Sequence, residues 1–172
     1  MRIHNVHERP FSVPPDRVGR LIDGLGATPD PLWPTEHWPP MRFDRPLGPG
    51  AAGGHGPIRY RVEEYEPGSR VRFRFTGPPG LEGTHDFAVQ ATPGGCRLCH
   101  TIEGRASGRM LAAWPLVFRP LHDALLEDAL DKAERAVAGG TAEPPSWSWR
   151  VRLLRRAASR RRPRRPPASV GG

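Results

Sequence analysis

The chain has two cysteines, a single lysine and no apolar run long enough to cross a bilayer. Cys96 and Cys99 show a C-x-x-C spacing, but they fall in a segment that alternates as a β-strand, where an odd separation sends two side chains to opposite faces. That geometry speaks against a disulfide or a zinc knuckle between them. A membrane-spanning helix needs about 20 apolar residues, and the N-terminus lacks the apolar core of a secretory leader. The expected compartment is the cytoplasm, with peripheral contact at a membrane left open. Catalytic fingerprints are missing too: there is no G-x-S-x-G elbow, and Gly48 to Pro57 does not follow the G-x-x-x-x-G-K-[ST] order of a phosphate loop. No H-x-x-x-H spacing supports a metal site made of His85, His100 and His122. Neither a cofactor nor a metal is expected.

The scarcity of lysine bears on the charge. Lys132 is the only one, all other basic residues are arginine, and with 22 Pro and 20 Gly this usage reflects GC-rich coding as much as selection. The net charge of +8 is also localised: nine Arg lie between Arg150 and Arg165, and no acidic residue follows Glu143. Without those nine, seventeen basic residues face eighteen acidic ones, so residues 1–143 are close to neutral. The basic character belongs to the C-terminal segment, and specific nucleic-acid binding is not expected of the rest.

At this length the chain is expected to hold one domain over residues 1–140 and a Pro/Arg-rich basic tail without stable structure over 141–172. Residues 3–11 alternate weakly and suit an opening strand. Pro14 and Pro15 then start a short helix whose Val18, Leu21, Ile22 and Leu25 recur at i, i+3, i+4 and i+7, ending near Gly24 or Gly26. Residues 27–57 are rich in Pro and Gly and read as an extended loop with at most one short strand near Met41 to Phe43. Trp33, Trp38, Met41 and Phe43 are its apolar anchors, and a loop this long suits a lid over a cavity.

Four strands follow between Ile58 and Glu103. Ile58, Tyr60 and Val62, then Val71, Phe73 and Phe75, define one apolar face, with arginines on intervening positions. A turn at Glu66-Pro67-Gly68-Ser69 places Val62 opposite Phe73, Tyr60 opposite Phe75 and Glu63 opposite Arg72. The second hairpin turns at Thr92-Pro93-Gly94-Gly95. Pairing Ala91 with Cys96 puts Phe87 opposite His100 and His85 opposite Ile102, so two imidazoles lie diagonally on an apolar face, while Asp86 and Glu103 point the other way. From Met110 to Gly139 the pattern is helical, with a break near Pro115 and Pro120.

The order strand, short helix, loop, antiparallel meander and C-terminal helix resembles the helix-grip fold of the START-like (SRPBCC) superfamily, which includes polyketide cyclase/dehydrase-like proteins. The residues that carry the likeness are His4 to Phe11 with Val13-Pro14-Pro15-Asp16-Arg17-Val18, the Tyr60-to-Gly68 hairpin segment, and the helix from Pro120 to Ala138. The resemblance implies an α+β architecture in which a curved antiparallel sheet wraps around a long C-terminal helix and encloses an apolar cavity for lipids, polyketides or hormones.

The candidate site residues follow from that frame. His85 and His100 are the polar groups on the apolar wall, suited to orienting a ligand or to acid/base work in a cyclase/dehydratase-like enzyme without metal. Tyr60, Phe73, Phe75, Phe87, Ile102, Trp114, Phe118 and His122 are expected to line or fill the cavity. In the tail, Trp147, Trp149, Leu153 and Leu154 are mixed with Arg150, Arg152, Arg155 and Arg156, a mixture suited to docking on an anionic membrane surface or, by nonspecific attraction, on RNA or DNA phosphates, with the membrane favoured by the aromatic residues. The expected partners are thus a small hydrophobic ligand and, through the tail, an anionic surface.

Overall fold

Alternation in the sequence becomes one antiparallel sheet in the structure, a computed structural model that describes residues 1–139, 144 and 146–160. Its elements are β1 (Arg2–Phe11), α1 (Pro15–Asp23), β2 (Arg42–Phe43), β3 (Ala52–His55), β4 (Ile58–Glu66), β5 (Arg70–Gly77), β6 (Leu81–Thr92), β7 (Gly95–Ala106), α2 (Met110–Ala113), a π-helical segment (Trp114–Phe118), α3 (Arg119–Ala138) and α4 (Trp149–Arg160). The strands form a seven-stranded sheet in the order β1-β7-β6-β5-β4-β3-β2. It curves around the long helical stretch that starts at α2, which makes the molecule α+β with a helix gripped by a sheet.

Both hairpins keep their expected apolar pairs. Val62 faces Phe73 and Tyr60 faces Phe75, while Phe87 faces His100, His85 faces Ile102 and Ala91 faces Cys96. The Glu63–Arg72 pairing is corrected: a bulge between Val62 and Glu64 brings Glu64 opposite Arg72, and Glu63 instead pairs with Arg74. A bulge switches the side of every residue beyond it. Here it turns Tyr65 toward α1, where its hydroxyl donates to Asp23 Oδ1 at 2.9 Å. The same oxygen accepts the Gly68 N–H at 2.8 Å, and Gly68 has the positive φ of 73° that its turn requires. α1 lies so close to this turn that a Cβ on Gly19 would sit 2.0 Å from the Gly68 carbonyl oxygen.

Two further expectations are corrected. The Pro-rich stretch contains two short strands, since β2 and β3 pair as a hairpin that extends the sheet beyond β4; glycines at 53 and 54 hid β3 from any side-chain pattern. The C-terminal segment is not without structure over Trp149–Arg160, which is helical. Val151 in α4 is buried, and Trp147 packs against the core. Residues 141–143, 145 and 161–172 of the expected tail lie outside the described residues. The break near the two prolines takes the form of the π-helical segment, a wider turn that accommodates a proline without its N–H.

α3 buries Leu125, Leu126, Ala129, Leu130, Ala133 and Val137. Its other edge meets a polar row on β1. Asn5 donates to Asp123, His7 bonds Asp123 and Glu127, and Arg9 pairs with Glu127, Asp131 and Glu134. The Pro-rich loop is anchored as its apolar residues suggested: Trp33, Trp38 and Met41 are buried. It also has a polar anchor that sequence reading missed. Asp30, 2% exposed, accepts N–H groups from Gly26 at 2.7 Å, Leu32 at 3.0 Å and Trp33 at 2.7 Å. Burial pushes its carboxyl up, against the three N–H donors that favour the ionised form.

Removing this acceptor leaves three N–H groups short of a partner. Asp30→Ala is expected to cost about 2–4 kcal/mol in urea unfolding, and Asp30→Asn less, because the amide oxygen still accepts. Equal stability of Asp30→Ala and the parent would show that the loop is held by its apolar anchors alone.

Candidate functional site: a cavity walled by aromatics and histidines

Where α3 begins, the helix stands off the sheet and leaves a cavity of about 1310 Å³. The β6–β7 register sets two of its polar groups side by side. His85 Nδ1 lies 3.3 Å from His100 Nε2, and both side chains are almost wholly buried. His85 Nε2 and His100 Nδ1 have no hydrogen-bond partner among the described residues. Phe73 and Phe75 stack on the His85 ring at 4.8 and 4.9 Å, Tyr60 meets it edge-on at 4.9 Å, and Phe87 meets His100 edge-on at 4.6 Å. His122, from the first turns of α3, tilts over His100 with ring centroids 5.0 Å apart.

Of the residues expected at this site, Tyr60, Phe75, His85, His100, Ile102, Trp114, Phe118 and His122 line the cavity. Phe73 and Phe87 do not: both are fully buried in the core behind it. They support the imidazoles rather than face a ligand. Sequence reading missed His55, whose Nδ1 lies 3.2 Å from the Tyr60 hydroxyl and whose ring sits 4.7 Å from Trp33. It missed Trp33 and Trp38 as wall residues as well. These come from the Pro-rich stretch, where no periodicity assigns a face; the concentration of Trp and His there was the available signal.

Electrostatically the interior holds neutral imidazoles. Burial pushes His85 and His100 well below the usual histidine range, and pushes His55 down to about 3. His122 is lowered by burial, with Asp123 partly opposing. The Tyr60 phenol is raised by burial and keeps its proton. The cavity wall therefore presents un-ionised donors and acceptors among aromatic side chains.

Outside this wall His7 is different: its bond to Asp123 raises it, burial opposes, and its bond to Glu127 raises it further. Ligand atoms of His7, His122 and Asp123 lie within 4.8 Å of one another, and these are the described residues that could share a metal ion. Both His7 nitrogens already have carboxylate partners without one. Cys96 and Cys99 are unpaired thiols.

The mouth is built by the loop and the C-terminal segment together. Trp38 Nε1 and Trp147 Nε1 both donate to Asp128 Oδ2, at 2.6 and 2.9 Å. Arg155, expected on an anionic surface, is instead a mouth residue, and this is a correction. Its guanidinium lies 3.6 Å from the centre of the Trp147 ring and 4.2 Å from that of Trp38, donates to the His37 carbonyl, and lines the cavity. Helical spacing from Val151 to Arg155 turns it inward. Arg150 donates to the Pro115 and Leu116 carbonyls, while Arg152 and Arg156 are exposed.

No family model and no curated protein matches the chain. Solved structures do. CalU16 from Micromonospora echinospora superposes with a TM-score of 0.56 at 13% identity, over 91% of this chain and 84% of that one. The di-domain ARO/CYC StfQ from the steffimycin biosynthetic pathway gives 0.59 at 13% identity, over 80% of this chain and 51% of StfQ. The chain shares with these structures the helix-grip fold, a curved antiparallel sheet around a long helix. The Aha1 dimer from Colwellia psychrerythraea shares it, with a TM-score of 0.55 at 10% identity over 81% of this chain and 99% of that one. Identities this low speak to the helix-grip architecture alone. No described helix is long and apolar enough to cross a membrane.

The buried imidazoles make stability depend on pH with a definite sign. A histidine depressed in the folded state binds its proton more readily when unfolded, so its contribution is full above the unfolded value of about 6.5 and is lost as pH falls from there toward the folded value. Urea unfolding is expected to show falling stability from pH 7 to 5, with each such histidine adding at most about 1.4 kcal/mol per pH unit. His85→Phe should flatten that slope; an unchanged slope would remove His85 from the set.

Proposed function

We propose that this protein binds a small hydrophobic molecule, lipid- or polyketide-like, between the sheet and α3. The observation that supports this reading most is the cavity itself: about 1310 Å³, above the ordinary range of roughly 300–1,000 Å³ for small-molecule sites, with walls of aromatic and aliphatic side chains and a few un-ionised polar groups. Burial of ligand surface at about 25 cal/mol per Å² supplies most of the affinity, and His85 and His100 orient the molecule. The experiment is native mass spectrometry of the full chain with organic extraction of any bound mass, followed by a thermal-shift panel of hydrophobic compounds. Leu121→Trp, which fills the cavity from the start of α3, should weaken binding at least tenfold with unchanged far-ultraviolet circular dichroism. An empty protein that no compound stabilises refutes the reading.

One observation favours an enzymatic variant. A ligand-facing imidazole bonded to a second one can take a proton at one nitrogen while the other nitrogen passes one on, which suits an aldol-type ring closure or loss of water in a cyclase/dehydratase-like reaction. The fold shared with the ARO/CYC protein StfQ is in keeping with this by analogy. His85→Ala and His100→Ala would then lower turnover of a bound compound more than its affinity; equal losses in both would restrict them to binding.

Contact with an anionic membrane is a separate reading for the outer face of α4. Trp149 and Leu153 are 72% and 58% exposed beside Arg152 and Arg156. Removing residues 144–172 is expected to abolish cosedimentation with phosphatidylserine vesicles; cosedimentation that survives the truncation discards it.

A further inference from the structure

The cavity interior holds neutral imidazoles, yet its mouth carries a cation that the binding function proposed above leaves unused. Arg155 sits in the corner formed by the indoles of Trp38 and Trp147, whose planes are inclined at 73° to each other. Nη2 is engaged by the His37 carbonyl, whereas Nη1 is shielded from solvent and has no hydrogen-bond partner among the described residues. The carboxylate nearest by architecture, Asp128, spends Oδ2 on the two indoles, and among the described residues none forms an ion pair with Arg155. A guanidinium deprived of water with a donor nitrogen idle is a costly arrangement unless something supplies an acceptor.

The rim around Arg155 has the same bias. Arg42 and Arg59 line it together with Glu36 and Asp44. Both acidic residues are already matched: Glu36 pairs with Lys132 at 2.7 Å, and Asp44 pairs with Arg45 at 2.9 Å and accepts the Ala52 N–H. The positive charge of the mouth is thus less compensated than the negative. The indoles also fix the guanidinium plane, so its position does not have to be ordered when a ligand arrives.

We infer that the cavity takes an apolar molecule ending in a carboxylate, and that Arg155 of the C-terminal helix binds that carboxylate at the mouth. The inference rests on the cavity holding a hydrophobic ligand. It gives the ligand a direction: apolar body inward toward His85 and His100, anionic end outward. It also makes α4 part of the binding site rather than an appendage to it. A carboxylate at the mouth could accept a charge-assisted bond from Nη1, which would satisfy the idle donor.

The test is titration calorimetry of the full chain at pH 8 with decanoate and with decan-1-ol, which share a chain and differ in the head. Decanoate is expected to bind at least about tenfold more tightly. Arg155→Met should remove that preference, decanoate and decanol then binding equally, and measurable decanol binding to the variant shows that the cavity remains intact. Arg155→Lys should keep part of the preference, and Arg152→Met, on the exposed side of α4, all of it. If neither compound binds, the binding function itself fails and this inference with it. If both bind equally to the parent, or the preference survives Arg155→Met, the binding function stands and the assignment of Arg155 is overturned.

Discussion

Because α3 buries Leu126, Leu130 and Ala133 completely while its acidic edge pairs with Asn5, His7 and Arg9 of β1, the helix is fixed in rotation as well as position. Apolar burial alone tolerates some rolling of a helix on a sheet. A row of directional contacts along one edge does not. The phase of α3 in turn decides that Leu121, His122 and Leu125 face the cavity, and that Asp128 points toward the loop and the C-terminal segment. Cavity wall and mouth thus both inherit their geometry from one helix docked along two unlike surfaces.

The same helix separates two electrostatic regimes. Toward the cavity the histidines are buried and neutral, their ring nitrogens available as weak donors and acceptors. Toward β1, His7 is raised by its carboxylate partners, and Asp123 is held far below the usual carboxylate range because hydrogen bonds to His7 and Asn5, with His122 close by, outweigh its desolvation. Asp123 and His122 are consecutive residues, so the boundary between charged and uncharged chemistry is one residue wide.

Much of this architecture was legible in the sequence where side chains alternate strictly. Phe87 opposite His100 and His85 opposite Ile102 follow from turn chemistry at Pro93-Gly94 and a period of two, and that register alone brings the imidazole pair together. Legibility ended where the pattern depends on backbone geometry or on distant contacts. The bulge at Glu63 reverses the faces of a hairpin that reads as regular. β3 contains Gly53 and Gly54, which carry no side-chain signal. Asp30 looks like an ordinary loop acid until the chain folds three N–H groups onto it. Arg155 reads as one arginine among nine in the C-terminal segment, and only the docking of α4 distinguishes it from Arg152 and Arg156.

Trp38 and Trp147 are 109 positions apart in the sequence, yet both bond a single carboxylate oxygen of Asp128 and both flank one guanidinium. A shared acceptor and a shared cation tie the two segments together: displacing either indole takes from Arg155 one of its two ring contacts and from Asp128 Oδ2 one of its two N–H donors. The loop and the C-terminal helix are therefore pinned at the mouth by one three-way junction, so that a change of sequence in either segment is felt by the other through Asp128 and Arg155.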